Sequence, residues 1–138
     1  MLALIVGLLV QIYKGVSSYV ASGRWNLRRF VGTGGMPSSH AAAVSALSTA
    51  VGLKSGFGST LFGVTLYFSL IVMYDAAGLR QAAGRQAAIL NRLIDEHFEH
   101  PEKDAHRLME LLGHTPFEVF VGAILGTTSA LVWSWINR

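Results

Sequence analysis

Two polar segments interrupt an otherwise apolar chain, Gly34-Gly35-Met36-Pro37-Ser38-Ser39-His40 and Gly113-His114-Thr115-Pro116-Phe117-Glu118. Each stands at the start of a long apolar run, where a helix N-terminus offers unpaired N–H groups and the positive end of its dipole. Glycines ahead of such an end let the backbone approach an anion, so each segment suits phosphate, and two facing each other would make a phosphate cradle. His114 and Glu118 are spaced one helical turn apart. At that spacing a carboxylate can hold one ring nitrogen while the other faces a substrate, which activates a histidine nucleophile. Lys14, between Tyr13 and Gly15, is a charge near the end of an apolar run and calls for snorkelling or a partner.

The elements that must position these residues are those of a membrane protein. Of 138 residues 51% are hydrophobic and 14% charged, against about 25% charged in an ordinary soluble domain. Mean hydropathy is +0.44. Such a chain is too apolar to be disordered and too short for two domains, so one membrane-embedded domain over 1–138 is expected. The absence of cysteine excludes disulfides, thiolate metal sites and cysteine nucleophiles. A formal charge of +3 is ordinary for a membrane protein that keeps cations at the interface, and does not point to nucleic acid.

Four stretches are apolar enough to cross a bilayer or nearly so: Leu2 to Ala21, Pro37 to Leu53, Phe57 to Ala76 and Phe117 to Ile136. The first lacks the basic flank and cleavage site of a signal peptide and reads as a retained helix. The second, rich in Ala and Ser, suits helix packing more than lipid contact and belongs inside the bundle. Residues 78–113 form a polar insertion whose first part, Leu79 to Phe98, reads as an amphipathic helix, with a second short helix over Lys103 to Leu112. Thr115, Pro116 and Glu118 make a capping box with proline at the first helical position. The loops before the second and fourth spans share one side and carry eight of the eleven cations, Arg24, Arg28, Arg29, Arg80, Arg85, Arg92, Lys103 and Arg107. The positive-inside rule places that side in the cytoplasm, and the chain as a multi-pass protein of a bacterial-type inner membrane.

On these residues the chain resembles a known family. The segment from His114 to Gly126 is similar to the third signature of the type 2 phosphatidic acid phosphatases, His-x-Pro-x-Asp-Val-x-x-Gly-Ala-x-x-Gly. Pro37-Ser38-Ser39-His40 is similar to their Pro-Ser-Gly-His, and nearly the whole chain resembles the divergent branch of that superfamily, related to vanadium haloperoxidases. The resemblance implies a metal-independent phosphatase, without cofactor, acting on a phospholipid or polyprenyl phosphate. His114 would attack phosphorus, Glu118 orient it, His40 protonate the leaving oxygen, and Lys14, Ser38 and Ser39 bind phosphate oxygens. Three positions depart from the pattern: Ser39 replaces Gly, Glu118 replaces Asp, and Leu108 stands where an arginine belongs. Arg80 is the expected replacement clamp, with Arg85 and Arg107 behind it. Asp75 joins the site as a partner of Arg80 or Lys14 or as a polar lining residue.

Plainer roles exist for several of these residues. Glu118 serves the capping box whether or not it touches His114, and Gly122 with Gly126 is a helix-packing element. His97, His100 and His106 among acidic neighbours match no standard zinc spacing and read as a solvated face. The leading expectation is therefore an all-α membrane bundle with a cytoplasm-facing phosphatase site. The alternative is a non-catalytic protein that binds, senses or moves phospholipid head groups. The small-residue faces leave room for a homodimer interface.

Overall fold

Capping chemistry sets the helix boundaries. In the computed structural model, which describes residues 1–23, 35–97, 108 and 113–137, α1 covers Leu2–Ser22, α2 Ser39–Ser55, α3 Thr60–Tyr74, α4 Arg80–His97 and α5 Pro116–Ile136. The Ser38 hydroxyl accepts the Ala41 N–H (3.3 Å) to start α2, so Pro37 lies just before the helix rather than in its first turn. Ser59 does the same for α3 through Phe62 N–H (3.2 Å), which moves its start from the expected Phe57 to Thr60. At α5 the capping box forms as expected, with Pro116 in the first turn. The arginine-bearing loop 24–34 and, Leu108 aside, the expected short helix over Lys103 to Leu112 lie outside the described residues.

Between α3 and α4 no break occurs. A π-helical turn, Asp75–Leu79, carries one into the other, so that Thr60–His97 is a single helix of 38 residues. At 1.5 Å per residue it is about 57 Å long, well beyond the roughly 30 Å of a hydrocarbon core, so α4 projects past the membrane boundary. Its charged flank carries Arg92 paired with Glu96 (2.9 Å).

The result is an all-α membrane bundle in which α1, α2, α3 and α5 run up, down, up and down. Among the described residues three helices, Leu2–Ser22, Thr60–His97 and Pro116–Ile136, are long and apolar enough to cross a membrane. The segment expected as the second span is shorter, 17 residues, and lies at the centre, packed by α1, α3 and α5 with Ala41, Ala42 and Ala46 wholly buried. Large apolar side chains on the outer helices, among them Leu8, Phe68 and Val132, are exposed, as lipid contact requires. Exposed Tyr13, Tyr19 and Tyr74 mark one end of the bundle and Phe57, Trp133 and Trp135 the other, the positions of interfacial aromatic belts.

Small residues set the central packing. A Cβ on Gly122 would land on the Ser38 carbonyl and one on Gly126 on the Ala42 carbonyl, and Ala130 shares a buried cluster with Ala42 and Ala46. These pairs advance by four residues on both helices, so α2 and α5 run parallel in a fixed register. Substituting Gly126→Ala should destabilise the bundle by about 1–3 kcal/mol, the usual cost of overpacking. Gly63 on α3 has open space around its Cβ position, so Gly63→Ala should be neutral or stabilise by up to about 1 kcal/mol through helix propensity. Thermal unfolding of the two variants in detergent would check the contrast, and equal losses would contradict the seam.

Candidate functional site

At the tyrosine end four pieces of chain converge: the last turns of α1, the start of α2, the π turn, and the residues leading into α5. Backbone hydrogen bonds tie them together. Ser38 N–H donates to the Glu118 carbonyl (3.1 Å), and His114 N–H donates to the Ala76 carbonyl of the π turn (2.9 Å). Gly113 makes the second contact feasible. Its φ of 89° is in the left-handed region, and a Cβ there would strike the backbone of Arg80 and Gln81.

This framework brings the two imidazoles together. His114, 2% exposed, lies edge-to-face with His40, with ring centroids 6.2 Å apart. Among the described residues neither ring nitrogen of His114 has a hydrogen-bond partner, and neither does Nδ1 of His40. Burying such groups without a partner costs about 1–3 kcal/mol each, so water or a polar ligand is the expected partner of the pair. Burial, then the positive charge of Lys14, then His40 and Arg80 push His114 down from its ordinary value to about 4. The ring is therefore neutral at pH 7, with a lone pair available for attack. His40 lies within electrostatic reach of the same Arg80 and Lys14 and of Asp75.

The π turn explains how Asp75 and Arg80 meet. On a regular α-helix, residues five apart point about 140° away from each other. A turn closed by an i→i+5 bond, here Arg80 N–H to the Asp75 carbonyl, brings the fifth residue back toward the first. The Arg80 Nε then donates to Asp75 Oδ2 at 2.7 Å, which selects the arginine among the partners open to Asp75. The bond uses Nε and leaves the η nitrogens of the guanidinium fork outside it.

Lys14 is 6% exposed and lines a cavity of about 240 Å³ with Ser17, Ser18, Ala21, Gly35 and Met36. The two serines escaped the sequence reading, although they stand one turn beyond Lys14 on its own helix. Ser38 is wholly buried and its hydroxyl accepts the cap hydrogen bond, while Ser39 follows half-buried in the first turn. Glu118 is used differently from the expected pairing. Its Oε2 accepts the Thr115 N–H at 3.0 Å, and no hydrogen bond joins it to His114, because the third position of a capping box aims the carboxylate back at the cap. Asn91 is a further residue the sequence did not single out: buried on α4, it grips the backbone of Leu108 from both sides, Nδ2 to the carbonyl (2.9 Å) and Oδ1 from the N–H (3.0 Å). Position 108, where an arginine was expected, is thus held by its backbone.

Comparison with known proteins finds a family and a relative that the chain resembles. The model of the divergent PAP2 family matches residues 1–129. An uncharacterized membrane protein of Bacillus subtilis (strain 168), YuiD, is 40% identical over 136 residues, which cover 91% of this chain and 86% of that protein. No solved structure matches.

Two outcomes follow from the geometry. In detergent micelles, NMR of labelled histidine should give His114 a titration midpoint near 4, and Lys14→Met should raise it, because removing a nearby cation favours the protonated ring. A midpoint unmoved by Lys14→Met would place the lysine away from the imidazole. For Glu118, glutamine can fill the same box position, so Glu118→Gln should keep wild-type thermal stability while Glu118→Ala loses about 0.5–2 kcal/mol.

Proposed function

The chain belongs to the divergent PAP2 family, and from that premise we propose that it is a membrane phosphomonoesterase acting on a lipid or polyprenyl phosphate through a histidine nucleophile. One observation carries the reading. Buried His114 and half-buried His40, with unpaired ring nitrogens, lie together within electrostatic reach of Lys14 and Arg80 at the tyrosine end of the bundle, the level at which the phosphate of a membrane lipid would lie.

In the proposed reaction Lys14 and Arg80 draw the phosphate in and balance its charge. A ring nitrogen of neutral His114 attacks phosphorus in line. The P–N bond forms as the bond to the lipid oxygen breaks, and His40, protonated, gives that oxygen its proton. Water then attacks the phosphohistidine, His40 takes up its proton, and inorganic phosphate leaves with His114 restored. Asp75 is a positioning residue that steadies Arg80. Glu118 positions His114 indirectly, by fixing the start of the helix that follows it. Ser38 holds the start of α2, and Ser39 and the α2 N-terminus offer donors to the phosphate oxygens. The proposed orientation faces the cytoplasm, because the loops on the site's side hold most of the cations.

Leu108 at the expected arginine position favours a second reading, a head-group-binding protein without turnover. Phosphate release by detergent-purified protein in the presence of chelator separates the two, using phosphatidate, phosphatidylglycerophosphate and polyprenyl phosphates. Expected is turnover that His114→Ala abolishes and His40→Ala lowers by about 10²–10⁴-fold. Tight lipid-phosphate binding without release, unaffected by His114→Ala, would establish the second reading instead.

A further inference from the structure

Polarity changes sharply along one face of α1. On the side of Lys14 toward the membrane boundary, Ser17, Ser18 and Ala21 line the small polar cavity. On the side toward the bilayer interior, Leu9, Val10 and Tyr13 form one wall of a larger, apolar groove of about 620 Å³, whose other wall is Val121 and Leu125 of α5. Met36 lines both spaces, and Pro37, next to the buried cap Ser38, closes the groove at the level of the site. The groove exists because α1 and α5 each pack on α2 and scarcely on each other. From Tyr13 to Leu9 on α1, and from Val121 to Leu125 on α5, both walls run about 6 Å away from the site into the hydrocarbon zone.

We propose that this groove binds one hydrocarbon chain of the lipid whose phosphate occupies the site, so that the ligand is an intact membrane lipid entering sideways between α1 and α5. The inference rests on the reading of Lys14 and the histidine pair as a phosphate site. An amphiphile has a charged head and an apolar tail on opposite sides of one junction, and the two spaces reproduce that order across Lys14. Met36 lines both, so the two spaces adjoin. A second copy of the chain is a poorer fit, because the polar cavity at the same mouth would then face an apolar helix. A free phosphorylated metabolite would leave the groove to bulk lipid. Val121 near the site and Leu9 further in, one on each wall, would set the width available to the chain and with it the preference for chain type.

Photolabelling tests this independently of turnover. The target is His114→Ala protein in phosphatidylcholine nanodiscs, so that the probe is not consumed. The probe is phosphatidate with a diazirine midway along one acyl chain, and the control is the same lipid lacking its phosphate. Expected is insertion into the peptides around residues 9–13 and 121–125, about tenfold above the control, a ratio set by head-group affinity. Excess unlabelled phosphatidate should suppress it, and so should either wall-filling variant, Val121→Phe or Leu9→Phe; using two covers the failure of one to fold. Inorganic phosphate that displaces the probe only at far higher concentration than phosphatidate would identify the lipid as the ligand. Equal labelling by both lipids would show ordinary annular lipid and overturn the proposal. An unlabelled groove in protein that migrates as a dimer would assign it to a second copy and overturn it as well. Phosphate release from wild-type protein is read separately: release with head-independent labelling would overturn only the groove, and head-dependent labelling without release would overturn only the hydrolytic reading.

Discussion

The backbone contact between α2 and α5 is the constraint on which everything else rests. Inside a bilayer two helices gain nothing by hiding apolar surface from water, since lipid is as apolar as they are. Their association depends on packing, and packing at this distance is possible only because residues 122 and 126 lack a Cβ where the carbonyls of Ser38 and Ala42 pass. The same contact satisfies polar atoms. The first N–H groups of a helix have no partner within it, and the one on Ser38 finds the Glu118 carbonyl across the seam. His40 follows Ser38 within the next turn, and His114 precedes Glu118 by one. Fixing the register of the two helices therefore fixes the two imidazoles relative to each other.

A second constraint acts from the long helix. The π turn is a local widening between two stretches of regular α-helix, and it performs two tasks at one place. It brings Asp75 and Arg80 into a 2.7 Å pair, and it presents the Ala76 carbonyl to the His114 N–H. A uniform helix would turn Asp75 and Arg80 away from each other. Among the described charges acting on the imidazoles, Lys14 and Arg80 against Asp75 leave a positive excess, with the His114 ring neutral. That excess suits an anion, and the interfacial depth keeps the cost of holding it below that of a charge at the bilayer centre.

What the sequence disclosed follows the range of the interaction. The start of α5 was legible because its capping box is contained in residues 115–118, and the small-residue character of α2 and of Gly122 and Gly126 announced close packing without naming the partner. The anion-suited composition of the two polar segments was equally plain, and the structure brings His40 and His114 together. The π turn was not legible: Asp75-Ala76-Ala77-Gly78-Leu79 carries no mark that separates a widened turn from a loop. The expected break there reflected a real change of polarity, since the chain passes from lipid-facing to charged without ceasing to be helical. Glu118 was ambiguous in principle, because one residue stands three after the cap Thr115 and four after His114, and only the coordinates show the carboxylate on Thr115. Asn91 lay beyond reach, its role being to hold a backbone far along the chain.

The depth of the site bears on how the proposed chemistry would meet its substrate. The phosphate of a membrane lipid lies at the aromatic level of the interface, and the site shares its end of the bundle with exposed Tyr13 of α1 and Tyr74 of α3. A site placed deeper would have to dehydrate the phosphate fully, at a cost of several kcal/mol. One placed outside would have to lift the chains out of the hydrocarbon, at about 0.8 kcal/mol per methylene. At the interface neither is required. In the proposed complex the lipid would keep its chains in an apolar environment while its head exchanged water for Lys14, Arg80 and helix N-terminal donors. In the proposed reaction, burying His114 among cations would keep its ring neutral and its lone pair available to a phosphate at that level.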